Sequence, residues 1–140
     1  MKTNISKKDK IYFLKARSAS KLSDFGKVNI GCIAVYKKCV IGVGYNTTKT
    51  SPIQLKYDKY RELDTNNGVE PKHSLHAEIM CLNSIKTLDI DFSKVKLYIY
   101  REDMNGNLSI CKPCRGCQKA IEEFGIKEVF YTDYNTYKKL

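Results

Sequence analysis

His76-Ala77-Glu78 and Pro113-Cys114-Arg115-Gly116-Cys117 put three soft metal donors and one carboxylate into two short segments. Zinc favours imidazole and thiolate ligands, and a catalytic zinc keeps three protein ligands and leaves the fourth position for water. His76, Cys114 and Cys117 meet that count. The spacing of Cys114 and Cys117 sets both sulfurs on one side of a helix's first turn, where the positive end of the dipole favours thiolates. His76 then opens a second helix, so that two helix N-termini converge on one metal. Glu78 lies too near such a metal to be an idle surface carboxylate. With three ligands already supplied, it is free to carry a proton from a water whose pKa the metal lowers.

Two other readings of these residues stand beside this one. Cys111 precedes Cys114 by the same interval, so Cys111, Cys114 and Cys117 could form a thiolate cluster for structural zinc or iron–sulfur. That cluster needs a fourth ligand and leaves His76-Ala77-Glu78 without a purpose. His73, one helical turn before His76, could replace it as the ligand but lacks a glutamate at the matching offset. The remaining cysteines, Cys32, Cys39 and Cys81, sit in apolar stretches and read as small buried hydrophobes.

Positioning these side chains takes a sheet with helices. Ser6-Lys7-Lys8-Asp9 is a capping-box signal, and Ile11, Leu14, Ser18 and Leu22 recur at helical spacing, with Tyr12, Phe13 and Ala16 widening the stripe. Gly26 is placed to end that segment. Residues 30–36 and 40–45 are apolar runs joined by Lys37-Lys38, a hairpin. Their unbroken apolar character predicts a sheet covered on both faces, and Gly42 and Gly44 point to close approach of another backbone or a ligand. Residues 46–72 are irregular, with a short helical turn expected over 54–63. A helix follows from His76, and residues 95–100 form a strand. Asn105-Gly106-Asn107 is a turn, and a helix starting near Pro113, which suits a first-turn position, stops at Gly125. Residues 128–132 form a last strand, and 134–140 a terminal helical turn or two. The second half alternates strand and helix, which implies a mixed α/β sheet with helices on both faces.

The bulk numbers fit one domain over residues 1–140, with 42% hydrophobic residues to build a core. No apolar run approaches the ~20 residues of a membrane span, and no signal-type apolar core follows the Lys-rich start. The expectation is a cytoplasmic protein with no membrane partner, whose clustered cysteines stay reduced. The net charge is +10, and the first 28 residues hold eight basic and two acidic side chains. Such a basic region could meet the phosphates of a nucleotide or a nucleic acid, or be a solvated helix face.

The joint pattern H-x-E … P-C-x-x-C is the signature of zinc deaminases of nucleobases. The chain resembles the cytidine and deoxycytidylate deaminase superfamily over most of its length, and within it looks most like the deoxycytidylate deaminase branch. That resemblance implies a three-layer α/β/α fold with a central mixed sheet of about four to five strands. It implies Zn2+ on His76, Cys114 and Cys117, Glu78 as the catalytic proton carrier, and a backbone contact from Ala77 to the base. Gly44-Tyr45-Asn46 is similar to a Gly-Tyr-Asn segment of the family, which makes Asn46 a substrate-binding candidate. The 46–75 connection has the length seen in deoxycytidylate deaminases but no cysteine, departing from their two-zinc form. Lys49, Lys56, Lys59 and Arg61 in it could greet a 5′-phosphate.

The reaction implied is hydrolysis of a cytosine nucleotide or nucleoside, dCMP first, to the uracil form with release of ammonia. Two alternatives are kept: a deaminase of cytosine or adenine in single-stranded DNA or RNA, using the basic N-terminal region and tyrosines, and a non-catalytic zinc module that binds a partner. Self-association into a homo-oligomer is expected from the family.

Overall fold

The computed structural model describes residues 5–60 and 74–140. In chain order these form α1 (Lys7–Ser20), β1 (Ile30–Tyr36), β2 (Cys39–Tyr45), α2 (Pro52–Asp58), α3 (Ala77–Ile85), a 3-10 turn at Phe92–Lys94, β3 (Lys96–Arg101), α4 (Arg115–Phe124), β4 (Glu128–Asp133) and β5 (Thr136–Lys139). The strands make one five-stranded sheet in the order β2-β1-β3-β4-β5. Only β3 and β4 run parallel; the other neighbours are antiparallel. The sheet is mixed, as expected.

Pleating splits each central strand between two cores. Ile33, Val35, Tyr98, Tyr100 and Phe130 face α1 through Phe13, Ala16 and Ala19. Cys32, Ala34, Leu97, Ile99, Val129 and Tyr131 face the other way, onto Ile79, Leu82, Ile85 and Ile121 of α3 and α4. Tyr57 of α2 joins this second core. The layers are therefore one helix, the sheet, and a layer of three helices.

Local chemistry explains most boundaries. Ser6 caps α1 in a reciprocal capping box with Asp9. Lys37 and Lys38 both have positive φ, 50° and 66°, the conformation a two-residue type I′ hairpin turn requires. Gly125 ends α4 in the left-handed region. Two glycines admit helices onto the sheet: a Cβ at Gly31 would stand 2.1 Å from the Ala16 carbonyl oxygen, and one at Gly44 2.1 Å from that of Ala77.

Several expectations need correcting. Residues 136–139 are a strand, because the turn at Tyr134-Asn135 folds the chain back onto β4 as a hairpin. α1 buries Phe13, Ala16, Ala19 and Ser20, while Ile11, Leu14 and Leu22 are 54%, 57% and 62% exposed. Where Gly31 lies against Ala16 and Ser20 the α1 backbone is too close to the sheet for leucine, so that end of the helix packs through small residues. α1 stops at Ser20, so Gly26 belongs to a later turn. β2 is an edge strand with Val40 and Val43 exposed, so only β1 of the pair is covered on both faces. Cys39, at the start of that edge, is exposed, whereas Cys32 and Cys81 are buried. α4 begins at Arg115 with Cys114 as its N-cap, leaving Pro113 just outside the helix. Helix α2 falls on the turn expected at 54–63, whose last three residues lie outside the described ones. So do His73 and Arg61.

Candidate metal centre and its cavity

His76 is the N-cap of α3, with extended backbone and no side-chain cap on the helix. Its imidazole is thereby free of capping duty and turns toward α4. Its main chain is fixed from α2, where the His76 N–H donates to Gln54 Oε1 at 2.9 Å. Gln54 is fully buried and donates in turn to Asp58 Oδ1 at 2.7 Å. Tyr57 of the same helix donates to Glu123 Oε2 at 2.6 Å, tying α2 to α4. The two helices that carry the metal donors are thus braced by a third.

His76 Nδ1 lies 3.3 Å from Cys117 Sγ and 3.6 Å from Cys114 Sγ. The Cys117 N–H donates to Cys114 Sγ at 3.5 Å, the N-cap bond of α4. Bonds of ~2.0–2.3 Å at tetrahedral angles put ligand atoms ~3.3–3.8 Å apart, which is the spacing seen. One imidazole and two thiolates, all within 4.8 Å of one another, are positioned to bind a metal ion. They would supply three of the four ligands that a tetrahedral ion takes. Without a metal, the hydrogen bond from the Cys117 thiol, aided by His76, lowers the Cys114 pKa to about 4 despite burial. Cys117 is pushed well above its ordinary value by that same bond and by burial.

Cys111 is not a fourth member. Its thiol lies 3.4 Å from the Ile99 carbonyl oxygen and 3.1 Å from Thr132 Oγ1, and burial raises its pKa to about 12. The three-thiolate cluster does not form.

Beside the donors lies a cavity of about 520 Å³, bounded by His76, Ala77, Glu78, Asn46, Arg101 and Cys114, with Phe25, Val28 and Ile30 as apolar wall. Glu78 is buried, and burial raises its pKa, with the Cys114 charge adding to the effect and His76 opposing it. Ala77 begins α3, where a small side chain leaves the uncapped end of the helix open to the cavity.

Asn46 also lines the cavity, but its amide is largely committed. Its Oδ1 accepts from the Ile30 N–H at 2.9 Å and the Ser23 hydroxyl at 2.6 Å, and its Nδ2 donates to the Val28 carbonyl at 2.7 Å. Lys49, Lys56 and Lys59 do not line the cavity; Lys56 and Lys59 rest over the rings of Tyr57 and Tyr60. Arg101, Gln54, Phe25 and Val28 escape sequence reading. The one visible signal is an arginine closing a strand whose residues 97–100 are all buried and largely apolar, since a charge seldom ends such a run without a partner.

Residues 6–133 match the family described as the cytidine and deoxycytidylate deaminase zinc-binding region. The chain belongs to that deaminase family. Its fold is similar to that of dCMP deaminase from the cyanophage S-TIM5 in apo form, at 20% identity and a TM-score of 0.59, over 88% of this chain and 80% of that one. The same enzyme in complex with dCMP and dUMP gives 18% and 0.62, over 91% and 83%. Cytidine deaminase from Burkholderia pseudomallei gives 16% and 0.63, over 94% and 90%. These likenesses show a cytidine deaminase-like fold. No curated protein matches the chain in a sequence search. As a member of a zinc-binding deaminase family, the chain takes zinc as its metal, and its donor set fits that ion.

Proposed function

We propose that the chain is a hydrolytic deaminase of a cytosine nucleotide or nucleoside, dCMP first, in which His76, Cys114 and Cys117 hold zinc and Glu78 moves the protons. The observation that carries this reading is the three-donor cluster opening onto a cavity whose wall includes a buried, unligated carboxylate. Zinc supplies, when bound, the Lewis acidity that makes water a nucleophile near neutral pH. Glu78 takes the proton that water gives up and delivers it to N3 of the ring, which readies C4 for attack. It then carries the second proton to the amino group. A C4–O bond forms, the C4–N bond breaks, and cytosine plus water becomes uracil plus ammonia. Burial suits Glu78 to this double duty, because a carboxyl whose pKa is raised accepts a proton more readily than an exposed one.

The base enters against Phe25 and Val28, with the N-terminus of α3 at Ala77 and the remaining Nδ2–H of Asn46 as polar contacts. Action on a polymer has less support. The basic helix α1 packs on the sheet face opposite the metal donors, so its lysines offer no track into the cavity. The buried position of Glu78 argues equally against a module that only binds. Metal analysis followed by a panel of dCMP, CMP, deoxycytidine, cytidine, guanine, tRNA and single-stranded DNA tests the reading. About one zinc per chain and ammonia from a cytosine nucleotide are expected; turnover of a purine alone would overturn the substrate.

A further inference from the structure

Resting on that reading, we propose that Arg101, assisted by Lys112, forms an anion subsite in the same cavity and selects cytosine substrates bearing a 5′-phosphate over the bare nucleoside. Arg101 is the last residue of β3. Leu97 and Ile99 of that strand face the metal side of the sheet, and alternation sends Arg101 the same way, into the cavity wall. The guanidinium is therefore placed by a central strand, paired with Ile30 of β1, rather than by a mobile surface stem.

What it lacks there, among the described residues, is a counter-ion. A guanidinium carries five N–H donors. Among the described residues, one bond uses them: Nη1 donates to the Ile110 carbonyl at 3.2 Å. Nε is buried without a hydrogen-bond partner. Buried donors are nearly always paired, so an orphan beside a cavity asks what completes it. Arg17 shows the contrast, since it finds Glu102 at 3.1 Å. For Arg101 the acceptor has to arrive with a ligand, and the planar fork of arginine matches an oxyanion in two-point fashion.

Lys112, exposed on the segment leading into Cys114, adds a second positive charge to the cavity lining. These are the two residues with a permanent cationic charge among those described around it. A volume of about 520 Å³ suits a base, a sugar and a phosphate together. A cytosine substrate that brings its own oxyanion is a nucleotide.

The test compares kcat/KM for dCMP and for deoxycytidine in the zinc-loaded native protein and in Arg101→Gln, Arg101→Lys and Lys112→Glu, with calorimetric affinities for dUMP and deoxyuridine. The native protein should prefer the nucleotide by at least about 100-fold. Arg101→Gln should cut the dCMP-to-deoxycytidine ratio by about 10- to 100-fold, Arg101→Lys by less, and dUMP affinity should fall in parallel. Equal loss on both substrates, or a native protein that treats them alike, overturns the proposal. Should Arg101→Gln not fold, Lys112→Glu decides on the same ratio, about tenfold lower if the subsite exists and unchanged if it does not. If dUMP binds in an Arg101-dependent way while no cytosine compound releases ammonia, the deaminase reading fails and the subsite stands. If ammonia is released but dUMP binds no tighter than deoxyuridine, the subsite alone fails.

Discussion

Glu78 sits two residues beyond His76, and the start of α3 turns both side chains toward the same space, where the imidazole joins the two sulfurs as a metal donor and the buried carboxylate lines the cavity. That division makes a sharp test. Glu78→Gln preserves volume and hydrogen bonding but removes the titrating oxygen. It should retain about one zinc per chain while kcat falls by roughly 10²–10⁴, as expected when a proton carrier is lost; unimpaired ammonia release in a metal assay-matched sample would refute the role. The cysteines divide in the same manner. Cys117→Ala removes a donor and should abolish stoichiometric zinc. Cys111→Ala should leave zinc content unchanged and cost about 1–2 kcal/mol in denaturant unfolding, since its thiol is spent on Ile99 and Thr132. Loss of zinc from the Cys111 variant would restore the three-thiolate alternative.

α2 shows how an element without any catalytic residue can govern a site. The chain Asp58–Gln54–His76 crosses from α2 to the α3 cap through two hydrogen bonds, the first between two buried side chains and the second from the half-buried His76 N–H to the buried Gln54. Gln54→Leu keeps the bulk but deletes the acceptor for the His76 N–H, so the ligand's backbone loses its anchor. Zinc affinity in a chelator competition should drop about 10- to 100-fold, the usual scale for support behind a ligand, with the folded sheet intact by circular dichroism; an unchanged affinity would show that the Cys114 and Cys117 frame alone orients His76. This brace was not legible in the sequence. The donors were, because ligand type and i, i+3 spacing are local facts and the caps of α1 and α4 are local as well. Gln54 and Arg101 act across distances that only the sheet order creates, Gln54 reaching a residue 22 positions away. The same limit produced the wrong buried face on α1: periodicity yields two rival stripes, and the closeness Gly31 permits decides between them. It also produced the final helix that is a strand, since seven residues of mixed character take the conformation that β4 offers as a template.

At the scale of the molecule, the layers are not equally fastened. Among the described residues three helices share the metal side and α1 is the helix on the other face, and its attachment is partly electrostatic. Glu102, just past β3, accepts from Arg17 and Lys21 of α1 and from the Tyr100 hydroxyl. Burial by itself would raise the Glu102 pKa, but these three donors outweigh it and bring it from 4.5 to about 2. A carboxyl held below its unfolded value stabilises the fold fully above that unfolded value and loses the contribution as pH falls toward the folded one. The contribution of Glu102 to the melting temperature of the zinc-free protein should therefore hold level above about pH 5 and decline between pH 4.5 and 2. Glu78 works with the opposite sign, because its raised pKa relieves the folded state as it protonates. Comparing native protein with Glu102→Gln cancels that term and every exposed carboxylate. The variant should start less stable at pH 7 and lose less over the acid window, so that the two melting curves converge near pH 2. Parallel curves throughout would mean that Glu102 contributes no charge-dependent hold on α1, and that its apolar seat of Phe13, Ala16 and Ala19 docks the helix unaided.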